Sequence, residues 1–317
     1  MKAIDLFCGV GGATLGMLSA GIDIDIEVNL GVDHCPETAS AYSEVTGVDA
    51  LVADVGALRP DDLPPFDLVW ASPPCQPYSQ AGKRRGSLDE RDALPELLRF
   101  IERFRPPVIV VEEVPLFRSS NGYAYLLGTL IKGGYHVESR VLNAANYGIP
   151  QARRRLFVVA RLDGRPWRWP RATHCKHPGL FGAERWVSLD DAVGEQLRAR
   201  EPLGRLPNWI TSRWQQLPVA LQDNVQVSSQ LTTKRNGQRD WLHVRRISQP
   251  SFTITASMAK RHSHIVSGGQ AWALTLEDAA RLQGLPLYHL SSMTSTHIGN
   301  AVPPALARAV VSRLHLQ

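Results

Sequence analysis

Residues 1–21 read MKAIDLFCGVGGATLGMLSAG. KAIDLF is a short apolar strand, CGVGG a glycine turn, and ATLGMLSAG a helix with Gly21 where a C-cap belongs. Outward from this unit, IEVNLGVD (26–33) is a second strand ending at Asp33, and PETASAYSEVTG (36–47) a helix with Pro36 in its first turn. Further strands lie in FDLVWAS (66–72), PVIVVEEV (107–114) and LFVVARL (156–162). Strands alternating with helices predict an α/β fold with a parallel sheet covered on both faces. The glycine turn lets backbone approach a ligand closely, and Asp33 at the next strand end is placed to accept ribose hydroxyls. A dinucleotide fingerprint needs a third glycine where Thr14 stands, so the pattern favours a nucleoside cofactor lacking a pyrophosphate.

Beyond about residue 165 the alternation stops. GRPWRWPRATHCKHPGLFGAERW (164–186) is rich in Pro, Gly, Trp and Arg, and LTTKRNGQRDWLHVRRISQPSFTITAS (231–257) offers short β-like runs between turn signals. Helical periodicity returns at TLEDAARLQG (275–284), with Thr275 and Asp278 spaced as a capping box, and HIGNAVPPALARAVVSRLHL (297–316) ends in an amphipathic helix. These shifts predict a large domain of residues 1–182 plus 295–317 and a smaller β-rich domain of 183–294.

The 317 residues are 44% hydrophobic and 21% charged, which is ordinary globular usage and excludes a disordered chain. The net charge is +5 and most of the 35 basic residues are arginine, whose planar fork suits phosphates and base edges. The first residues lack a secretory pattern and no stretch is apolar enough to cross a bilayer, so a cytoplasmic protein without a membrane partner is expected. Cys8, Cys35, Cys75 and Cys175 form no CxxC pair, and His174, Cys175 and His177 are too few and too poorly spaced for zinc, so no metal is expected.

ASPPCQPYSQAGKRRG (71–86) carries the sharpest chemical signal. Two prolines fix the backbone before Cys75, so its thiol leaves a strand end at a defined angle. A catalytic thiol also needs positive charge nearby to become thiolate. The basic, glycine-punctuated residues that follow suit a lid over a site. Glu112 and Glu113 end an apolar strand, where parallel sheets face their ligand crevice, and either is a candidate acid. In QARRR (151–155), strand alternation sends Arg153 and Arg155 to one side.

In combination, DLFCGVGG (5–12), PPCQPYS (73–79), EEV (112–114), QARRR (151–155), LEDAARLQGLP (276–286) and GNAV (299–302) resemble the cytosine-C5 DNA methyltransferases in order and spacing. The resemblance covers nearly the whole chain outside residues 196–245. It implies a Rossmann-like S-adenosylmethionine-dependent sheet with a smaller target-recognition domain, and methyl transfer to C5 of a flipped-out cytosine in a specific duplex sequence. Cys75 matches the thiol that adds to cytosine C6, Glu112 the group that holds N3 and the exocyclic amine, and Arg155 the contact to O2, with Arg153 supporting the same loop. For the cofactor, which leaves as S-adenosylhomocysteine, Phe7, Cys8, Gly9 and Gly11 line the turn, Asp33 matches the ribose acid and His34 the residue packing on adenine. Asp54 and Val55 match its amine side, Pro74 and Leu94 pocket walls, and Asn300 and Val302 the closing turn. Gln76 to Arg91 resembles the mobile loop, with Gln76, Ser79, Lys83, Arg84 and Arg85 toward DNA, and Arg235, Arg239 and Arg245 are the candidate DNA contacts of the small domain. The family also implies double-stranded DNA as partner, a cognate restriction endonuclease, action as a monomer, and association with the nucleoid through DNA.

Three departures stand out. Most members carry asparagine where this chain has Glu113, many carry arginine where it has Trp272, and Pro77 and Tyr78 replace commoner loop residues. A second carboxyl beside Glu112 raises one carboxyl pKa and so could keep Glu112 protonated. The rival readings are an enzyme of the transfer-RNA branch, which shares SPPCQP, and a catalytically weak DNA-binding member.

Overall fold

The computed structural model describes residues 1–74, 92–179, 182–203, 208–214, 217–228, 232–233, 239–240, 243–256 and 263–314. It divides into a unit of residues 1–143, 154–171 and 301–317 and a second unit of 144–153 and 172–300.

In the first unit β1 (Lys2–Leu6), α1 (Gly12–Ile24), β2 (Glu27–Asp33), α2 (Pro36–Thr46), β3 (Ala50–Val52), β4 (Leu68–Ala71), α3 (Leu94–Phe104), β5 (Val108–Glu113), α4 (Asn121–Lys132), β6 (His136–Asn143) and β7 (Arg154–Arg161) follow in chain order. The seven strands form one sheet in the order β3-β2-β1-β4-β5-β7-β6. The first five are parallel, but β7 runs antiparallel to both β5 and β6, so the expected all-parallel sheet holds only as far as β5. The physical reason is the short link 144–153, which returns the chain alongside β6 without a crossover helix.

Strand alternation divides this sheet cleanly. Ile4, Leu6, Val69, Ala71, Ile109, Val111, Leu156 and Val158 bury one face with Leu97, Leu98 and Ile101 of α3 and Leu126 and Leu130 of α4. Asp5, Trp70, Glu112, Arg155 and Phe157 belong to the opposite face. There α1 meets the C-terminal helix Pro304–Val311 at glycine contacts. A side-chain carbon at Gly12 would collide with the Val302 carbonyl oxygen, and one at Gly16 with that of Pro304. Gly21 is not the C-cap of α1. The helix runs to Ile24 and ends on Asp25 in the left-handed region, while Gly21 leaves room for the Ile26 carbonyl folding back against it.

The second unit contains β8 (His174–Cys175), β9 (Glu184–Arg185), α5 (Leu189–Arg198), α6 (Asn208–Trp214), β10 (Val225–Ser228), β11 (Thr232–Thr233), β12 (Arg239–Asp240), β13 (His243–Arg246), β14 (His264–Ser267), β15 (Gln270–Ala273), α7 (Leu276–Gln283) and α8 (Ser295–Asn300). An antiparallel sheet in the order β13-β10-β14-β15 covers a small core of Ile210, Val225, Val227, Val266 and Ala271. The Thr275–Asp278 capping box opens α7. Trp272 is an internal member of this unit, buried on β15 with its indole N–H on the Arg200 carbonyl at 3.1 Å. The unit starts earlier and ends later than residues 183–294. Residues 144–153 join it through a bridge between Gln151 and Ser251 and a bond from the Ala152 N–H to the Ser251 carbonyl at 2.9 Å.

Two predictions follow from this packing. Gly12→Ala drives a methyl group into backbone and should cost about 1–3 kcal/mol in urea unfolding. Gly128→Ala, where α4 leaves open space, should be neutral or stabilising by up to about 1 kcal/mol. Asp5 is 1% exposed, and burial pushes its carboxyl up to about 8 despite the Thr14 hydroxyl donating to it at 2.8 Å. The folded chain therefore holds a proton that the unfolded chain releases near its ordinary value. Asp5 favours folding below about pH 4, and that contribution falls away as pH rises toward 8. Asp5→Asn should flatten the stability–pH curve across this window. An unchanged curve would contradict the assignment.

Candidate active site

The turn after β1 departs from ordinary backbone. Phe7, Gly9 and Gly11 all have positive φ, at 55°, 56° and 84°, and for Phe7 this costs on the order of 1 kcal/mol. The Gly9 N–H donates to Asp33 Oδ2 at 3.2 Å and the Cys35 N–H to Asp33 Oδ1 at 3.0 Å, so the strand-end carboxylate holds the turn. Each oxygen keeps a second lone pair for a ligand. A side chain at Gly9 would meet no atom within 4 Å, which leaves open space beside the turn. His34 is exposed beside Asp33, with Nδ1 3.5 Å from Oδ1. Asp54 is exposed and accepts the Gly56 N–H at 2.8 Å. The open space, the two available carboxylates and the exposed ring suit a nucleoside.

Other expected cofactor contacts lie elsewhere. Val55 and Leu94 are buried members of the hydrophobic core against α3 and the sheet. Cys8 is buried, and burial followed by the charges of Asp5 and Asp33 pushes its thiol up, so it stays neutral. Pro74 is half-buried beyond β4. Val302 is buried, with its carbonyl packed on Gly12. Asn300 ends α8 of the second unit and is exposed.

At the carboxyl end of β5, Glu112 pairs in register with Phe157, two residues from Arg155 on the same face. Arg155 Nε lies 2.8 Å from Glu112 Oε1, with the two side chains 13% and 9% exposed. Alternation sends Glu113 to the helix-covered face, where its carboxylate accepts the Val114 N–H at 2.7 Å. Burial first, and the Glu112 charge less strongly, push the Glu113 carboxyl well up. The raised carboxyl assigned here is thus Glu113, and its cause is mainly desolvation.

Arg153 does not share a face with Arg155. It precedes β7 and is 1% exposed, with Nη1 on the Ile254 carbonyl at 2.9 Å and Nη2 on the Gly299 carbonyl at 3.0 Å. Gln151, a residue the sequence reading passed over, completes this junction. Its Nε2 donates to the Leu282 carbonyl at 3.1 Å and Gln283 Oε1 at 2.6 Å, and its Oε1 accepts the Ile254 N–H at 3.0 Å. One buried amide here binds several backbone and side-chain groups at once.

Arg245, expected on DNA, is also turned inward. Its Nη1 donates to the Pro250 and Ser251 carbonyls at 2.9 and 3.1 Å, and its guanidinium lies 4.5 Å from the Phe252 ring centroid. Beside it Gln226, another residue passed over, joins Ser251, Ser263 and Phe252 by hydrogen bonds. Cys75, Gln76, Ser79, Lys83, Arg84, Arg85 and Arg235 lie outside the described residues. Arg239 lies on β12, whose backbone alone is described.

Known proteins place this arrangement. The family model for C-5 cytosine-specific DNA methylase matches residues 1–315. The chain is similar to the type II methyltransferase M.AplI of Arthrospira platensis, 28% identical over 100% of this chain and 86% of the relative. It is similarly related to the type II methyltransferase M1.HphI of Haemophilus parahaemolyticus, 28% identical over 97% and 84%. Its fold is similar to the S. pombe Dnmt2 methyltransferase, with a TM-score of 0.67, 18% identity and coverage of 98% and 97%. The chain belongs to the C-5 cytosine-specific DNA methylase family.

Proposed function

We propose that the chain methylates cytosine in duplex DNA with Cys75 as nucleophile, Glu112 as the group on N3 and the exocyclic amine, and Arg155 as the contact to O2. The Glu112–Arg155 pair at the carboxyl end of β5 carries this reading, because it sets an acid and a cation side by side where a cytosine ring needs both. S-adenosylmethionine, when bound, supplies an electrophilic methyl group. The turn at Phe7, Gly9 and Gly11 with Asp33, His34 and Asp54 would hold its nucleoside part.

The protein's own work is activation of a poor carbon nucleophile. The Cys75 thiolate forms a bond to C6, and the electron pair displaced from the C5–C6 bond makes C5 nucleophilic. Glu112 and Arg155 stabilise the charge that reaches N3 and O2. Once C5 is methylated, a base takes the C5 proton, the C–H electron pair re-forms the C5–C6 double bond, and the C6–S bond breaks to release Cys75 as thiolate. Arg153 acts as a positioning residue, since its guanidinium is spent on the Ile254 and Gly299 carbonyls. A stacked base is out of reach of these groups, so the cytosine leaves the helix first. Gln76, Ser79, Lys83, Arg84 and Arg85, with Arg235 and Arg239, complete the proposed DNA contacts.

Action as a monomer is inferred from the family resemblance alone. The type II naming of the relatives supports a cognate restriction endonuclease, and binding DNA supports a nucleoid location. Among the described residues no helix is long and apolar enough to cross a membrane.

Trapping tests the chemistry. With S-adenosylmethionine and duplex DNA carrying 5-fluorocytosine, the wild type should form a denaturation-resistant adduct and Cys75→Ser none. Glu112→Gln should slow adduct formation by on the order of 100-fold. An adduct on transfer RNA alone would transfer the reading to RNA. No adduct on either would leave a DNA-binding role.

A further inference from the structure

The segment after β7 is not used by the reaction. GRPWRWPR (164–171) lies against β6, the outer strand of the large sheet, and Glu138 of that strand organises it. The Trp167 N–H donates to Glu138 Oε1 at 2.6 Å and the Trp169 indole N–H to Oε2 at 3.2 Å. Arg140 stacks its guanidinium over the Trp169 ring, 5.5 Å from the centroid. These groups border an open cavity of about 600 Å³, whose lining also includes Arg168, Arg171 and Arg313.

The charge of this cavity is lopsided. Four guanidiniums face one carboxylate, and both oxygens of that carboxylate are occupied by the tryptophan N–H groups. Among the described residues Arg168, Arg171 and Arg313 have no acidic partner. Trp167 is 4% exposed, and among the described residues its buried indole N–H has no hydrogen-bond partner. Arginine forks match phosphate oxygens bidentately. By register, Glu138 and Arg140 also share the sheet face of Arg155, on the neighbouring strand, and of Glu112, two strands away.

We propose that this arginine–tryptophan cavity at the outer edge of the large sheet binds the phosphodiester backbone of DNA outside the methylated site. The proposal rests on the DNA-methylating reading and adds a contact surface to it. Each phosphate contact contributes about 0.9 to the slope of log affinity against log salt.

The test measures binding of a labelled 40-base-pair duplex by fluorescence anisotropy across a salt series. Arg168→Gln/Arg171→Gln/Arg313→Gln should lower the slope by about 2–3 and weaken binding near physiological salt by on the order of tenfold. The corresponding triple lysine variant should keep most of the slope. Arg168→Gln/Arg171→Gln, with both positions exposed, guards against misfolding and should lower the slope by up to about 2. An unchanged slope, with the wild type still binding and trapping DNA, overturns this proposal alone. Displacement of the duplex from the triple glutamine variant and the wild type alike by polyglutamate, at equal concentration, would mark a site indifferent to acidic peptide and supports the phosphate assignment. Polyglutamate competing only through these arginines would make the site one for acidic protein and overturn it. A wild type that neither binds nor traps DNA overturns the underlying reading, and this proposal with it.

Discussion

A carboxylate nearly removed from water at the end of a sheet strand requires a cation, and here Arg155 of the antiparallel neighbour supplies it. Much of the first unit contributes to that meeting. The parallel strands bring Glu112 to the carboxyl end of the sheet. Reversal of β7 places Arg155 diagonally across from it, on the same face. With one direction of β7 changed, the arginine would be presented at the far end of the strand. Trp70 packs edge-on against Phe157, the residue directly opposite Glu112, and so supports the pair from within the sheet.

The second unit solves a different problem, which is holding loops that lie far apart in sequence. Gln151 and Arg153 do so with planar polar groups. One amide reaches Leu282, Gln283 and Ile254, and one guanidinium reaches Ile254 and Gly299. Removing such a group leaves several buried carbonyls and N–H groups without partners, which costs more than the bonds themselves are worth. This explains why Arg153, two residues from Arg155, is structural.

The parallel strands, the glycine turn, Asp33 and Glu112 were legible in the sequence because each rests on local periodicity or on a position at a strand end. The direction of β7 was not, since an apolar run such as LFVVARL carries no sign of which neighbour it will join. Side-chain direction at Arg153 was misread for a related reason. Alternation applies within a strand, and β7 begins one residue later, at Arg154. Arg245 looked like a DNA contact because its charge is visible in the sequence, whereas the carbonyls of Pro250 and Ser251 that claim it are not. Gln151 and Gln226 escaped because a buried amide has no periodic signature. The family resemblance supplied what periodicity lacks, namely the pairing of motifs distant along the chain.

If Glu112 and Arg155 act on the cytosine as one unit, their contributions to adduct formation cannot be independent. The most direct measurement is a double-mutant cycle on single-turnover adduct formation, with wild type, Glu112→Gln, Arg155→Gln and the double variant compared on the same fluorinated duplex. A double variant about as slow as the worse single variant is expected, with a coupling energy above roughly 1 kcal/mol. Rate losses that simply multiply would show that the two groups act separately, and would contradict a shared role at the ring.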